Sequence, residues 1–213
     1  MSDATMYLLV KALLDGDQAV AFAETRKLRD AGVGSEQIIT EGVEVAMVQL
    51  DAKCTVAQFN LLEIMLAGRA VMTVIKELYP PMDPPPRTKG TVVLGTLEGD
   101  VHDLGKNVLK AVLTASRYRV VDCGKDCPAE TMIDAAEREA VLAVLVSGLI
   151  TTVIPQVRLL RDRMTGRGLG HIKVMAGGAA LKQASAESLN VDFVADTAFD
   201  GLHYLDDITG GEK

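Results

Sequence analysis

Five prolines fall within seven residues, in the run Pro80-Pro81-Met82-Asp83-Pro84-Pro85-Pro86. No helix interior or central strand can pass through such a run. Each proline fixes its own φ and removes the amide donor that a ladder or helical turn needs. Residues 80–89 therefore read as a semi-rigid, extended linker. The 213 residues then divide into a first domain, 1–79, and a second, 90–213. Each part must bury a core of its own.

The apolar pattern changes across that break. Before it, apolar residues recur at helical spacing and turn signals are few. Four helices fit, near 3–14, 17–31, 35–52 and 55–79, separated at Asp15-Gly16-Asp17, at Gly32-Val33-Gly34-Ser35 and near Asp51-Ala52-Lys53. The fourth carries Phe59, Leu62, Met65, Leu66, Val71, Met72 and Ile75, enough for a helix packed on several sides. A four-helix bundle is the expected arrangement. After the linker, short β-branched runs alternate with helical stretches. Strands are expected at Thr91–Leu97, Arg119–Asp122, Val141–Val146, Ile172–Met175 and Asp192–Ala195. Helices should lie between and after them, near 105–116, 129–139, 153–165, 180–189 and 199–207. This alternation predicts an α/β domain, a flavodoxin-like, doubly wound, five-stranded parallel sheet. In that topology a ligand binds beyond the carboxyl ends of the strands, which directs attention to residues 98–104 and 147–152.

Composition narrows the function. Apolar residues make up 48% of the chain but aromatics only 4%, with no Trp, so the cores are aliphatic. A formal net charge of -7 argues against a phosphate-binding basic face, and so against nucleic acid. No apolar run approaches the roughly 18 residues of a membrane span. The amino terminus lacks the basic and small-residue features of a signal peptide. Three cysteines, Cys54, Cys123 and Cys127, are too few for a disulfide framework, and a cytoplasmic setting is expected.

The first carboxyl-end loop contains Asp100-Val101-His102-Asp103-Leu104-Gly105. A histidine two residues after a carboxylate can bind metal through one ring nitrogen while the other donates its proton to the acid. Gly105, at a helix start, would let a flat ligand approach the backbone. The same residues also suit a capped helix, with Asp100 or Asp103 as N-cap and His102 exposed in a turn. The second loop, Ser147-Gly148-Leu149-Ile150-Thr151-Thr152, offers hydroxyls to a ligand or to the next helix start. Gly177-Gly178 ends the fourth strand, as close ligand approach or a plain turn would require.

Taken in order, Asp100-x-His102-Asp103-x-Gly105, Ser147-Gly148-Leu149 and Gly177-Gly178 resemble the cobalamin-binding domain of methionine synthase and of the small corrinoid proteins that serve methyltransferases. Glu63-Ile64-Met65-Leu66-Ala67 is similar to the segment by which the family's helical domain caps the corrin, so the likeness covers nearly the whole chain. The resemblance implies a corrinoid cofactor held base-off and His-on, with His102 as the lower axial cobalt ligand and Asp100 behind it. It implies a nucleotide tail flanked by Gly105, Ser147, Leu149, Gly177 and Gly178, with Asp103, Leu104 and Thr151 also contributing. Met65 and Leu66 would cover the upper face. The family extends the His–Asp pair with a serine at the position of Val153 here, so the proton relay is expected to stop at a dyad or to reach Thr152 or water.

The resemblance further implies a non-catalytic methyl carrier. Its partners would be a substrate-specific methyltransferase, an acceptor methyltransferase working on tetrahydrofolate or a thiol, and a reductive activator. A cobalamin-dependent regulator or a mutase-associated domain would share the binding unit; the acidic first half and the helical bundle argue against each. Cys123 and Cys127 lack the partners of a zinc site. His171 and His203 are expected on the surface, away from the carboxyl ends.

Overall fold

The computed structural model describes residues 2–53, 60–79 and 88–210. The proline run and the start expected for the fourth helix lie outside the described residues. The contacts separate one unit within Met1–Arg87 from another made of Thr88–Leu113 and Arg117–Lys213.

The first unit is helical throughout. It contains α1 (Ser2–Leu14), α2 (Gln18–Asp30), α3 (Ser35–Ile38), a π-helical turn (Ile39–Val43), α4 (Glu44–Lys53) and α5 (Leu61–Leu78). The third helix expected from the sequence is thus α3 and α4 joined by the π turn. Gly42 in that turn lies so close to α1 that a Cβ there would sit 3.0 Å from Leu9 Cδ2. Within the described residues this helix runs from Leu61, where Asn60 is extended and its side chain accepts the Glu63 amide at 3.3 Å. Along α5, Ile64, Ala67, Val71, Val74, Ile75 and Leu78 are buried at i, i+3 and i+4 spacing, while Leu61 and Leu62 are exposed. Met65, Leu66 and Met72 beside this face are half-buried, so the packed part of the helix is broad.

The second unit is a five-stranded sheet in the order β2-β1-β3-β4-β5. The strands are β1 (Gly90–Gly95), β2 (Tyr118–Asp122), β3 (Ala143–Ser147), β4 (Lys173–Gly177) and β5 (Phe193–Ala195), all parallel. Helices α6 (Leu104–Ala115), α7 (Ala129–Glu139), α8 (Ile154–Gly166), α9 (Ala186–Leu189) and α10 (Ala198–Gly210) connect and follow them. Val92, Val93 and Leu94 of β1 and Val144 and Leu145 of β3 are fully buried, as befits strands covered on both faces. The sheet is the expected α/β architecture. Its first strand ends two residues early, at Gly95, because Thr96 turns its amide to the Gly124 carbonyl at 3.1 Å and Leu97 pairs with Cys127. The helix expected at 180–189 is broken into a 3-10 turn (Leu181–Gln183) and α9. Ala184 is extended there, and the Ser185 hydroxyl accepts the Ser188 amide at 3.1 Å. No helix among the described residues is long and apolar enough to cross a membrane.

Candidate cofactor site at the carboxyl edge of the sheet

The strand order reverses at β1 and β3, which are neighbours although β2 separates them in the chain. Connections leave these two strands in opposite directions, opening a crevice at their carboxyl ends. The loop after β1 brings Asp100 and His102 there, and the turn after β3 meets them.

Asp100 is fully buried, which is costly for a carboxylate unless donors surround it. They do. Its Oδ1 accepts the His102 amide at 3.0 Å and faces His102 Nδ1 at 2.7 Å, and its Oδ2 accepts the Leu149 amide at 2.7 Å. Burial pushes the carboxyl pKa up. The amides of Leu149 and His102, the His102 ring and the Ile150 amide outweigh that and hold it below the usual carboxylate value. An ionised Asp100 can only accept, so Nδ1 of a neutral His102 must carry its proton and Nε2 keeps a lone pair. The His102 side chain is 48% exposed, so this lone pair belongs to a side chain open to a ligand.

Around them the loops present apolar side chains to solvent. Val101, Leu104 and Leu149 are 56%, 40% and 47% exposed. Glycines bring backbone close by. At Gly105, in the first turn of α6, the one heavy atom within 4 Å of an added Cβ would be Ser147 Oγ, at 3.7 Å. At Gly178, where φ is +98°, a Cβ would fall 2.5 Å from the Gly148 carbonyl oxygen, and Gly148 donates its amide to the Gly177 carbonyl at 2.9 Å. Thus Gly105 meets Ser147, and Gly177 and Gly178 meet Gly148. Thr151 is exposed in the 3-10 turn before α8, and Asp103 is part-exposed with Lys125 Nζ 3.9 Å away. Met65 and Leu66 lie half-buried on α5 of the first unit, Leu66 against the turn at Gly16.

Val153 is completely buried. No hydroxyl stands at that position, and backbone amides supply the donors to the second Asp100 oxygen. Cys123 and Cys127 are free thiols, and His171 and His203 are exposed. No group of three metal-binding side chains occurs among the described residues. A flat, largely apolar macrocycle bringing a metal fits this donor set: one outward imidazole, apolar neighbours and glycine-lined backbone.

Sequence reasoning passed over Lys106, Asp122 and Asp126. Lys106 is 3% exposed, with Nζ 2.7 Å from Asp122 Oδ1. A lysine on the inward side of α6, in line with buried Leu113, was the available signal, since such a charge needs a partner.

Residues 90–202 match the B12 binding domain family. The dimethylamine corrinoid protein 3 of Methanosarcina acetivorans is 32% identical over 174 residues, 81% of this chain and 82% of that one. The trimethylamine corrinoid protein 1 of Methanosarcina mazei is 27% identical over 193 residues, 89% of each chain. Among solved structures, a chain of the methanol:cobalamin methyltransferase complex MtaBC from Methanosarcina barkeri superposes with a TM-score of 0.83 at 27% identity. That match covers 99% of this chain and 81% of the other.

Proposed function

The chain belongs to the B12 binding domain family, as a methyltransferase-associated corrinoid protein, and from that premise we propose that it is a methyl carrier. It holds its corrinoid base-off, with His102 as the lower axial ligand, and passes a methyl group from one partner enzyme to another. The observation that carries this reading is the orientation of His102. Its Nδ1 is engaged by a buried, ionised Asp100, which leaves Nε2 on a side chain that is half open.

A bound corrinoid supplies the cobalt that takes up and gives back the methyl group, and that chemistry is the cofactor's own. The protein binds and orients. Asp100 fixes the tautomer and ring orientation of His102. Val101, Leu104 and Leu149 offer apolar surface to the ring. Gly105, Gly177 and Gly178 keep side chains out of the way of the nucleotide tail, and Ser147 supplies a hydroxyl to it. Asp103 and Thr151 stand at the rim as polar contacts. Met65 and Leu66 are proposed as the bundle's contribution, on the strength of the Glu63–Ala67 likeness.

The chain is proposed to be a carrier subunit and not itself a catalyst. One partner is a substrate methyltransferase, since one relative of known structure is a chain of a methanol:cobalamin methyltransferase complex. The other would deliver the methyl group to tetrahydrofolate or a thiol, and a reductive activator would restore cobalt that has been oxidised. Free Cys123 and Cys127 suit the reducing cytoplasm that this cycle needs.

The test is spectroscopic. His102→Ala in the corrinoid-loaded protein should convert the visible spectrum from that of an imidazole-ligated corrinoid to a ligand-off one, with far-UV dichroism unchanged. Identical spectra for the two proteins would remove His102 as the ligand.

A further inference from the structure

The His102 loop is gripped from behind by a second loop, and the grip closes at both ends. At the entry to the His102 loop stands Asp126, from the segment after β2. Its amide donates to the Asp100 carbonyl at 3.0 Å, and its Oδ1 accepts the Gly99 amide at 2.8 Å. Asp126 holds φ at +51°, a conformation that costs a non-glycine residue energy and persists only where surrounding bonds enforce it. Gly99 is also left-handed, with φ at +93°. Below this contact the two loops are laced together by Thr96, whose amide donates to Gly124 and whose carbonyl accepts the Cys127 amide at 2.9 Å.

At the exit, four residues after His102, buried Lys106 donates to Asp122 Oδ1 at 2.7 Å and to Asn107 Oδ1 at 3.1 Å. Asp122 also receives Lys110 at 2.9 Å on Oδ2 and the Gly124 amide at 2.9 Å on Oδ1. Asp122 and Asp126 thus belong to one five-residue stretch and anchor opposite ends of the loop that carries His102. Neither side chain has a recorded bond to the imidazole.

We propose that residues 122–126, together with Lys106, form a clamp that positions the axial ligand, with Asp126 and Lys106 as its positioning residues. The assignment rests on the proposed role of His102. A side chain that would hold a cofactor in one geometry needs a loop that keeps its place before the cofactor arrives. Asp126 and Lys106 supply that constancy through the Gly99 amide and the Asp122 carboxylate.

Two measurements on the full chain test it. Without corrinoid, Asp126→Ala should speed amide exchange across residues 99–103 by about tenfold or more while β3 and β4 exchange as before. With corrinoid bound, the same variant should keep its cofactor but show a several-fold smaller imidazole-ligated fraction at fixed pH. Asp126→Asn keeps an oxygen acceptor for Gly99 and should restore both values. Lys106→Met should act in the same direction; should that variant fail to fold, the Asp126 pair still decides. Unchanged exchange at 99–103 would overturn the clamp. Faster exchange with an unchanged ligated fraction would overturn its positioning role. If wild-type and His102→Ala spectra coincide, the axial role of His102 fails, and the cofactor-free exchange still reports separately on the clamp.

Discussion

Two glycines at the same edge of the sheet have opposite reasons for being glycine. Gly178 is needed by the fold, because its φ of +98° and the Gly148 oxygen 2.5 Å from a would-be Cβ both exclude a side chain. Gly178→Ala should lower stability by about 2–3 kcal/mol, visible as a drop in Tm. Gly105 is under no such constraint: an added methyl group would meet only Ser147 Oγ, at 3.7 Å. Gly105→Ala should leave stability unchanged or raise it by up to about 1 kcal/mol. It should nevertheless impair corrinoid uptake, because the methyl group enters the crevice beside Ser147. Melting curves beside cofactor content per chain separate the two cases, and equal Tm losses would refute the distinction. Cys123 gives a third residue-scale expectation. Burial, then the nearby Cys127 and Asp122, push its thiol up to about 11. Peptide-resolved alkylation of the folded protein at pH 8 should therefore be slow at Cys123 and rapid after unfolding.

At the scale of elements, charge ties the ends of the sheet to their helices. Asp192, just before β5, accepts the Val174 amide of β4 at 2.8 Å, takes Lys173 at 3.3 Å, and pairs with Arg161 of α8. One carboxylate thus joins two neighbouring strands to the helix between β3 and β4. Asp192→Ala should cost about 2 kcal/mol, measured by denaturant unfolding, because Arg161 Nη2 and the Val174 amide lose this acceptor, although Arg161 Nε keeps the Asn190 carbonyl. The pH dependence follows in sign. Burial raises the pKa of both Asp192 and Asp122, but their amide and cationic donors outweigh it and set each below the ordinary 3.8. Their stabilisation is complete above that value and lost as pH falls through the depressed folded pKa. The acid limb of the stability curve should flatten in Asp192→Asn, and an unaltered limb would count against the assignment.

For the whole molecule, we propose that the domain boundary falls in 80–89, with the helical unit before it and the sheet unit after it. The bonds that orient His102 all lie within residues 96–150, so a fragment beginning at Thr88 should fold and give the same imidazole-ligated spectrum. Gel filtration and the visible spectrum of that fragment decide the matter. Most of this architecture was legible because it rests on local rules. A period of 3.6 marks α1, α2 and α5, and β-branched runs mark the strands. Once β1 through β5 are recognised as a doubly wound sheet, the ligand edge follows, and with it Asp100 and His102.

What the sequence by itself determined were those properties that depend on neighbours along the chain: the helical and strand segments, and the motif that places a histidine near an acid. Tertiary structure alone decided which oxygen of Asp100 each donor takes, that Val153 is buried while amides from the β3 turn fill the acid's second oxygen, and that Lys106 needs Asp122. It also decided that the first strand stops at Gly95 and that Asp126 reaches across 27 residues to Gly99. The reason is physical. A buried polar group must be satisfied, but its partner can come from any segment folded against it, and only packing determines which one arrives.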